Sequence, residues 1–189
     1  LLIAICYKLK YININSFIVW FGIFFLPLVL NYFLISPLLF PDQFQYAGEV
    51  MSLKANGVSI PLIASQSFGV GGNILSDLNP VTLSVSLMGL APIPNYMTIT
   101  SLAFANKFFL FFSFLILKNF FKNENILLLL FLVPSFLLYS SISVRETLII
   151  LLGIFFLLNM LRDNYFIAFL ILAPLLIVKI QLFAFFSLY

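Results

Sequence analysis

Eight side chains in this sequence have the type and spacing to act on a polar, anionic substrate: Asp42, Tyr46, Glu49, Asn106, Lys107, Arg145, Glu146 and Lys179. Asp42, Tyr46 and Glu49 fall within "PDQFQYAGEV", and a helix opening at Pro41 would carry all three on one face. Asp42 would then stand near the positive helix N-terminus, where a plain helix-start acid is the competing reading. Lys107 follows Asn106 in "SLAFANKFFLFFSFLILK". An ammonium at that depth needs a partner or a wet cavity, unless its stem lets it snorkel to an interface. In "YSSISVRETLII", Ser143 as N-cap with Glu146 at the third helical position spells a capping box. Arg145 has no such use, because it opposes the positive helix end; its planar fork suits a phosphate or a carboxylate. Lys179, in "IVKIQLF", is either an interfacial anchor or a further cation for the same ligand.

Other chemistries are closed off by composition. The chain has no His and a single Cys, Cys6, which excludes Ser-His and Cys-His nucleophiles, His-ligated zinc and an internal disulfide. Its basic residues are scattered, with no run to grip phosphates, so nucleic acid is not a partner. "FGVGGN" is no phosphate loop, since it lacks the Lys-Ser/Thr ending.

The elements that must position these residues are membrane helices. Hydrophobic residues make up 63% of the chain and charged residues 8%, with a mean hydropathy of +1.20. Soluble domains carry about 25% charged residues, so the surroundings are a lipid bilayer. Apolar runs at 17–34, 98–117, 126–140, 147–161 and 165–178 give about five spans, and residues 1–7 read as the tail of a truncated one. The expectation is an all-α, polytopic membrane helix bundle, a single domain over 1–189 read as a piece cut at both ends. Pro27, Pro134 and Pro174 lie inside apolar runs and should kink them. Lys8, Lys10, Lys118, Lys122 and Arg162 alternate with the spans so that all five fit the cytoplasmic side. Segment 37–96 then lies outside as a long loop of short interfacial helices and turns, with Gly69, Gly71 and Gly72 marking a tight one. Arg145, Glu146 and Lys179 share that outer face.

Taken together, the motifs carry a resemblance. "PSFLLYSSISVRETLIILLGIFFLLNMLRDNYFIAFLILAPLLIVKIQ" resembles the membrane polymerases and glycosyltransferases of bacterial surface polysaccharides (O-antigen and exopolysaccharide). Those proteins show a Pro-Ser-apolar-aromatic-Ser-Ser segment, then Arg-Glu or Arg-Asp opening the next helix. "SLAFANKFFLFFSFLILKN" is similar to their Asn-Lys or Asn-Arg helix, and "PDQFQYAGEV" to the acid-bearing first outer loop of GT-C glycosyltransferases. At Lys179–Ile180 the chain departs from the family's Arg-Pro. The resemblance runs from residue 37 onward. It implies a multi-pass protein of the bacterial inner (plasma) membrane, active face outward, using a sugar or oligosaccharide on a polyprenyl (di)phosphate. Asp42 and Arg145 would be catalytic, and Tyr46, Glu49, Asn106, Lys107, Glu146 and Lys179 would bind substrate. Other polysaccharide-assembly proteins are implied as partners. No cofactor is required, no metal-ligand set is spelled, and a divalent cation at Asp42 stays an open alternative. Two other classes compete: a lipid-carrier flippase or small-solute transporter, which should show an internal repeat that is missing here, and a non-catalytic membrane subunit, which needs no convergence of Asp42 with Arg145.

Overall fold

The computed structural model describes residues 2–34, 36–46, 48, 84, 88, 101–121, 123–142 and 144–179. Glu49, Lys54, Lys122, Ser143, Gln181, the glycines at 69–72 and most of segment 37–96 lie outside the described residues. Among those described, all regular structure is helical. Helix α1 is Leu2–Lys8 and α2 is Ile14–Val29, which passes directly into a π turn, Leu30–Leu34. Helix α3 is Ser101–Lys118, α4 is Glu124–Phe131, α5 is Pro134–Tyr139, α6 is Glu146–Met160 and α7 is Tyr165–Val178.

Local chemistry sets the boundaries. Asn13 caps α2 by accepting the backbone N–H of Ser16 at 2.7 Å. Asn123 does the same for α4, accepting from Asn125 at 3.0 Å and Ile126 at 3.4 Å. Pro134 has no N–H to continue α4, so that helix ends at Phe131 and a new one opens with Pro134 in its first turn. Pro27 is followed within a turn by the π segment, while α7 runs through Pro174 to Val178. The sequence predicts a disturbance at all three prolines; it takes the form of a break at Pro134 and a widened turn after Pro27.

The helices run alternately between two ends. Trp20 packs its ring at 5.1 Å from Phe111 and 5.3 Å from Phe114, and Phe24 meets Phe108 at 5.2 Å, so α2 and α3 are antiparallel. Phe131 closes the same core at 5.8 Å from Trp20. Helices α4 and α5 lead away from the Lys118 end, and α6 returns to it, where the Arg162 guanidinium lies 4.8 Å over the Phe120 ring. Helix α7 then packs back along α6 through Ile149, Phe156, Ala168, Leu172 and Leu175. One end, here the basic end, therefore gathers Lys8, Lys10, Lys118 and Arg162.

Apolar cores are buried, but so are many polar side chains, and many large apolar side chains are exposed. Ser16, Asn31, Asn106, Lys107, Ser113, Ser140, Ser141 and Thr147 are buried, while Phe33, Leu161 and Phe166 are 83%, 77% and 75% exposed. By length and composition one helix among the described residues, the 21-residue stretch Ile14–Leu34, is long and apolar enough to cross a membrane. Helices α6 and α7, at 15 and 14 residues, reach about 22 Å at about 1.5 Å per residue, short of the roughly 30 Å of a bilayer core.

Candidate functional site

The polar residues meet at the end opposite the basic one, around the non-helical break between α5 and α6. That break frees backbone carbonyls in an apolar setting, where each needs a donor. Three side chains from other elements supply them. Asn106 donates from Nδ2 to the carbonyls of Ile142 at 2.8 Å and Val144 at 2.7 Å. Asn31, in the π turn, donates to the carbonyl of Ser141 at 2.8 Å and back to that of Pro27 at 2.7 Å. Lys107 donates from Nζ to the hydroxyls of Ser140 and Ser141, both at 2.7 Å, and to the carbonyl of Leu137 at 3.3 Å. Those contacts engage all three ammonium protons. Both hydroxyls donate onward to the Leu137 carbonyl.

Of the two readings left open for Lys107, the structure selects burial: the residue has no exposed surface and its head points into the bundle. Its partners are protein oxygens, as are those of the Asn106 amide. Both residues sit inside a clasp that shapes the break, one layer behind the surface a ligand could reach. Asn31 was not foreseen from sequence. The available signal was an amide four residues after Pro27 in an otherwise apolar run, where a proline-disturbed helix has backbone oxygens to satisfy.

Arg145, Glu146, Tyr46 and Asp42 form the outer part of the site. Helix α6 opens at Glu146, so Arg145 takes the N-cap position with φ −86° and ψ −5° and makes no side-chain cap bond. Glu146 stands at the first helical position, and the Ser143 half of the expected capping box lies outside the described residues. Buried atoms without a hydrogen-bond partner among the described residues include Nη1 of Arg145, a donor, Oε2 of Glu146, an acceptor, Oγ1 of Thr147, and the Oδ1 atoms of Asn31 and Asn106. In 42–46 the chain is helical, as "PDQFQY" predicts, with Asp42 exposed and Tyr46 buried. Tyr46 packs with Met88, Leu102, Ala105 and Leu148. Burial pushes its phenol up to about 12, Arg145 works against the rise, and the Glu146 and Asp42 carboxylates add to it. Tyr46 is thus a neutral hydroxyl, able to donate or accept a hydrogen bond but not to act as a base at physiological pH.

A small cleft of about 160 Å³ opens beside these residues, lined among others by Pro41, Asp42, Tyr139, Val144 and Glu146. Asp42 and Glu146 therefore face one space from elements about a hundred positions apart in the chain. Two carboxylates are too few for a metal cage of protein ligands, and no group of three or more potential ligands converges among the described residues. Lys179 ends α7 in extended conformation, φ −158° and ψ 92°, with its N–H bonded to the Leu175 carbonyl at 2.8 Å. The antiparallel course of α6 and α7 brings it to the same end as Glu146, and no hydrogen bond or ion pair among the described residues links its side chain to the cluster. Glu49 lies outside the described residues. No family model matches the chain, and neither the curated proteins nor the solved structures contain a match to it.

Proposed function

We propose that the chain is the core of a multi-pass glycosyltransferase or polysaccharide polymerase in the bacterial inner membrane, with its basic end in the cytoplasm and its Arg145 end outward. The donor is a sugar or oligosaccharide on a polyprenyl (di)phosphate. The many exposed large apolar side chains, Phe33, Leu161 and Phe166 among them, support the membrane setting. Bundle neighbours and flanking polar residues let helices of 14–15 residues bridge a locally thinned bilayer.

One observation carries the catalytic reading: the carboxylates of Asp42 and Glu146 line one cleft, and the residue next to Glu146 in the chain, Arg145, holds a buried donor without a partner among the described residues. In the reaction, the acceptor hydroxyl attacks the anomeric carbon and its proton passes to Asp42. The bond from that carbon to the phosphate oxygen breaks, and the (di)phosphate leaves as an anion stabilised by Arg145. Glu146, which lines the cleft, holds a sugar hydroxyl as acceptor, with the neutral Tyr46 hydroxyl buried behind it. Lys107 and Asn106 act as positioning residues through the break. The donors of the clasp, the Asn31 and Asn106 amides and the Lys107 amine, bond to backbone carbonyls and serine hydroxyls, which suits a held turn better than a transport passage.

A transfer assay tests this. Membranes containing the protein receive a pool of radiolabelled polyprenyl-diphosphate-linked glycans, and released polyprenyl diphosphate is measured. Asp42→Asn keeps size and polarity but loses the base, so turnover is expected to fall at least about 100-fold, within the usual contribution of a general base. Turnover unchanged by Asp42→Asn contradicts the assignment.

A further inference from the structure

At the basic end, a second cleft of about 470 Å³ lies between the α1–α2 turn and the α3–α4 corner. Tyr7, Lys8, Lys10, Asn13, Lys118 and Glu124 line it. Its carboxylate is already engaged: Glu124 accepts from the Asn13 N–H at 3.0 Å and from the Ser16 hydroxyl, and sits 3.0 Å from the Lys118 ammonium. Lys118 is committed twice over, since its Nζ also lies 5.0 Å over the Tyr11 ring. Lys8 and Lys10 are different. Both are exposed, and neither forms an ion pair among the described residues. The cleft thus carries two unneutralised positive charges.

An apolar track leads out of the same cleft. The Tyr7 ring lies 4.9 Å from Phe17, tilted by 31°, Phe17 lies 6.2 Å from Phe21, and Phe21 lies 5.1 Å from Phe25. Ile14, Ile18, Phe21 and Phe25 recur at helical spacing along one flank of α2 and are 49%, 60%, 55% and 49% exposed. Cations at one end of an exposed apolar flank match a molecule with an anionic head and a hydrocarbon tail. A free phosphate would leave the flank without a role, and the lysines lack the bidentate fork or amide cradle that holds small anions tightly.

We propose that this cleft is a binding site for an anionic phospholipid, its phosphate held by Lys8 and Lys10 and an acyl chain laid along Ile14–Phe25. The site rests on the membrane placement alone and is independent of glycosyl transfer, because it lies at the opposite end of the bundle from Asp42 and Arg145. Lipid held there would tie α1 to α2 across the Lys10 turn, where the backbone takes the left-handed φ of 57°.

Native mass spectrometry of the purified protein, exposed to an equal mixture of dioleoylphosphatidylglycerol and dioleoylphosphatidylcholine, reads the site directly. The wild type is expected to retain the anionic lipid by roughly tenfold or more, the scale set by two lysines at a membrane surface. Lys8→Gln with Lys10→Gln is expected to bring retention near parity. Both side chains are exposed, so unchanged helicity by circular dichroism is expected for that variant. Ile18→Ser with Phe21→Ser should weaken retention of both lipids. Added inorganic phosphate should displace neither. Equal retention in the wild type, a preference that survives the double lysine variant, or displacement by inorganic phosphate each overturns the proposal.

Discussion

Lys107 brings an ionisable amine to a position with no exposed surface, and its contacts are two hydroxyls and a carbonyl rather than a carboxylate. Such a group is tolerated only while its protons are all engaged. Removing the acceptors should therefore do more harm than removing the lysine. Ser140→Ala with Ser141→Ala is expected to destabilise the folded state by about 2–6 kcal/mol, from about 1–3 kcal/mol for each buried donor left without an acceptor. Lys107→Met should cost less, because both serine hydroxyls keep the Leu137 carbonyl as an acceptor. The triple variant should recover part of the loss in the serine pair. Thermal unfolding in detergent provides the comparison, and a serine pair milder than Lys107→Met would contradict the clasp. From sequence, a polar break at Ser140–Ser141 and a lysine in mid-helix could each be read, but not that they meet. Their separation of more than thirty residues is bridged only by the packing of α3 on the α5–α6 break, which no local pattern encodes. Arg145 is the converse case: its misfit with the helix dipole was legible at once, and Nη1 is indeed left without a partner among the described residues.

At the scale of elements, the basic end is joined by one carboxylate. Glu124 starts α4 and accepts from the backbone and hydroxyl at the start of α2, while the last lysine of α3 sits 3.0 Å away. Burial acts to raise its pKa, but the bonds from Ser16 and Asn13 and the charge of Lys118 outweigh it, and the net shift is downward. A depressed carboxyl contributes stability that is present above its unfolded value of 4.5 and is lost as pH falls through the folded value. Glu124→Gln is expected to cost about 1–3 kcal/mol at neutral pH, the scale of charged hydrogen bonds. That difference should shrink toward zero in acid below the folded pKa. A gap between wild type and variant that stays constant down to strongly acid pH would contradict the latch. Helix positions were mostly legible here because apolar runs are local signals, whereas the caps Asn13 and Asn123 emerge only with the structure. The start of α6 was not. The helix opens at Glu146, beside the carbonyls of Ile142 and Val144 that Asn106 holds from a distant helix, a long-range bond that no local pattern shows.

For the whole molecule, the alternation of basic residues along the sequence and the packing of the helices lead to the same two ends. Lys8, Lys10 and Lys118 line one cleft, and Arg162 lies over Phe120 nearby, so four residues distant in sequence share a face. Orientation follows from a cysteine pair in a Cys6→Ser background. Gln45→Cys, exposed beside Asp42, is expected to react with a membrane-impermeant thiol reagent in intact cells, and Asn119→Cys only after permeabilisation. Labelling of both from the same side would remove the bundle from its assigned orientation. The central claim is that the Arg145 end holds the phosphate of a polyprenyl carrier, and equilibrium binding to the detergent-solubilised protein tests it without knowledge of the sugar. Polyprenyl diphosphate is expected to bind at least about tenfold more tightly than the uncharged polyprenol. Arg145→Lys, which keeps the charge but loses the two-point grip, should lose most of that advantage, and Glu146→Gln should keep it. Equal affinity for the diphosphate and the polyprenol, or a preference that Arg145→Lys leaves untouched, would contradict the claim.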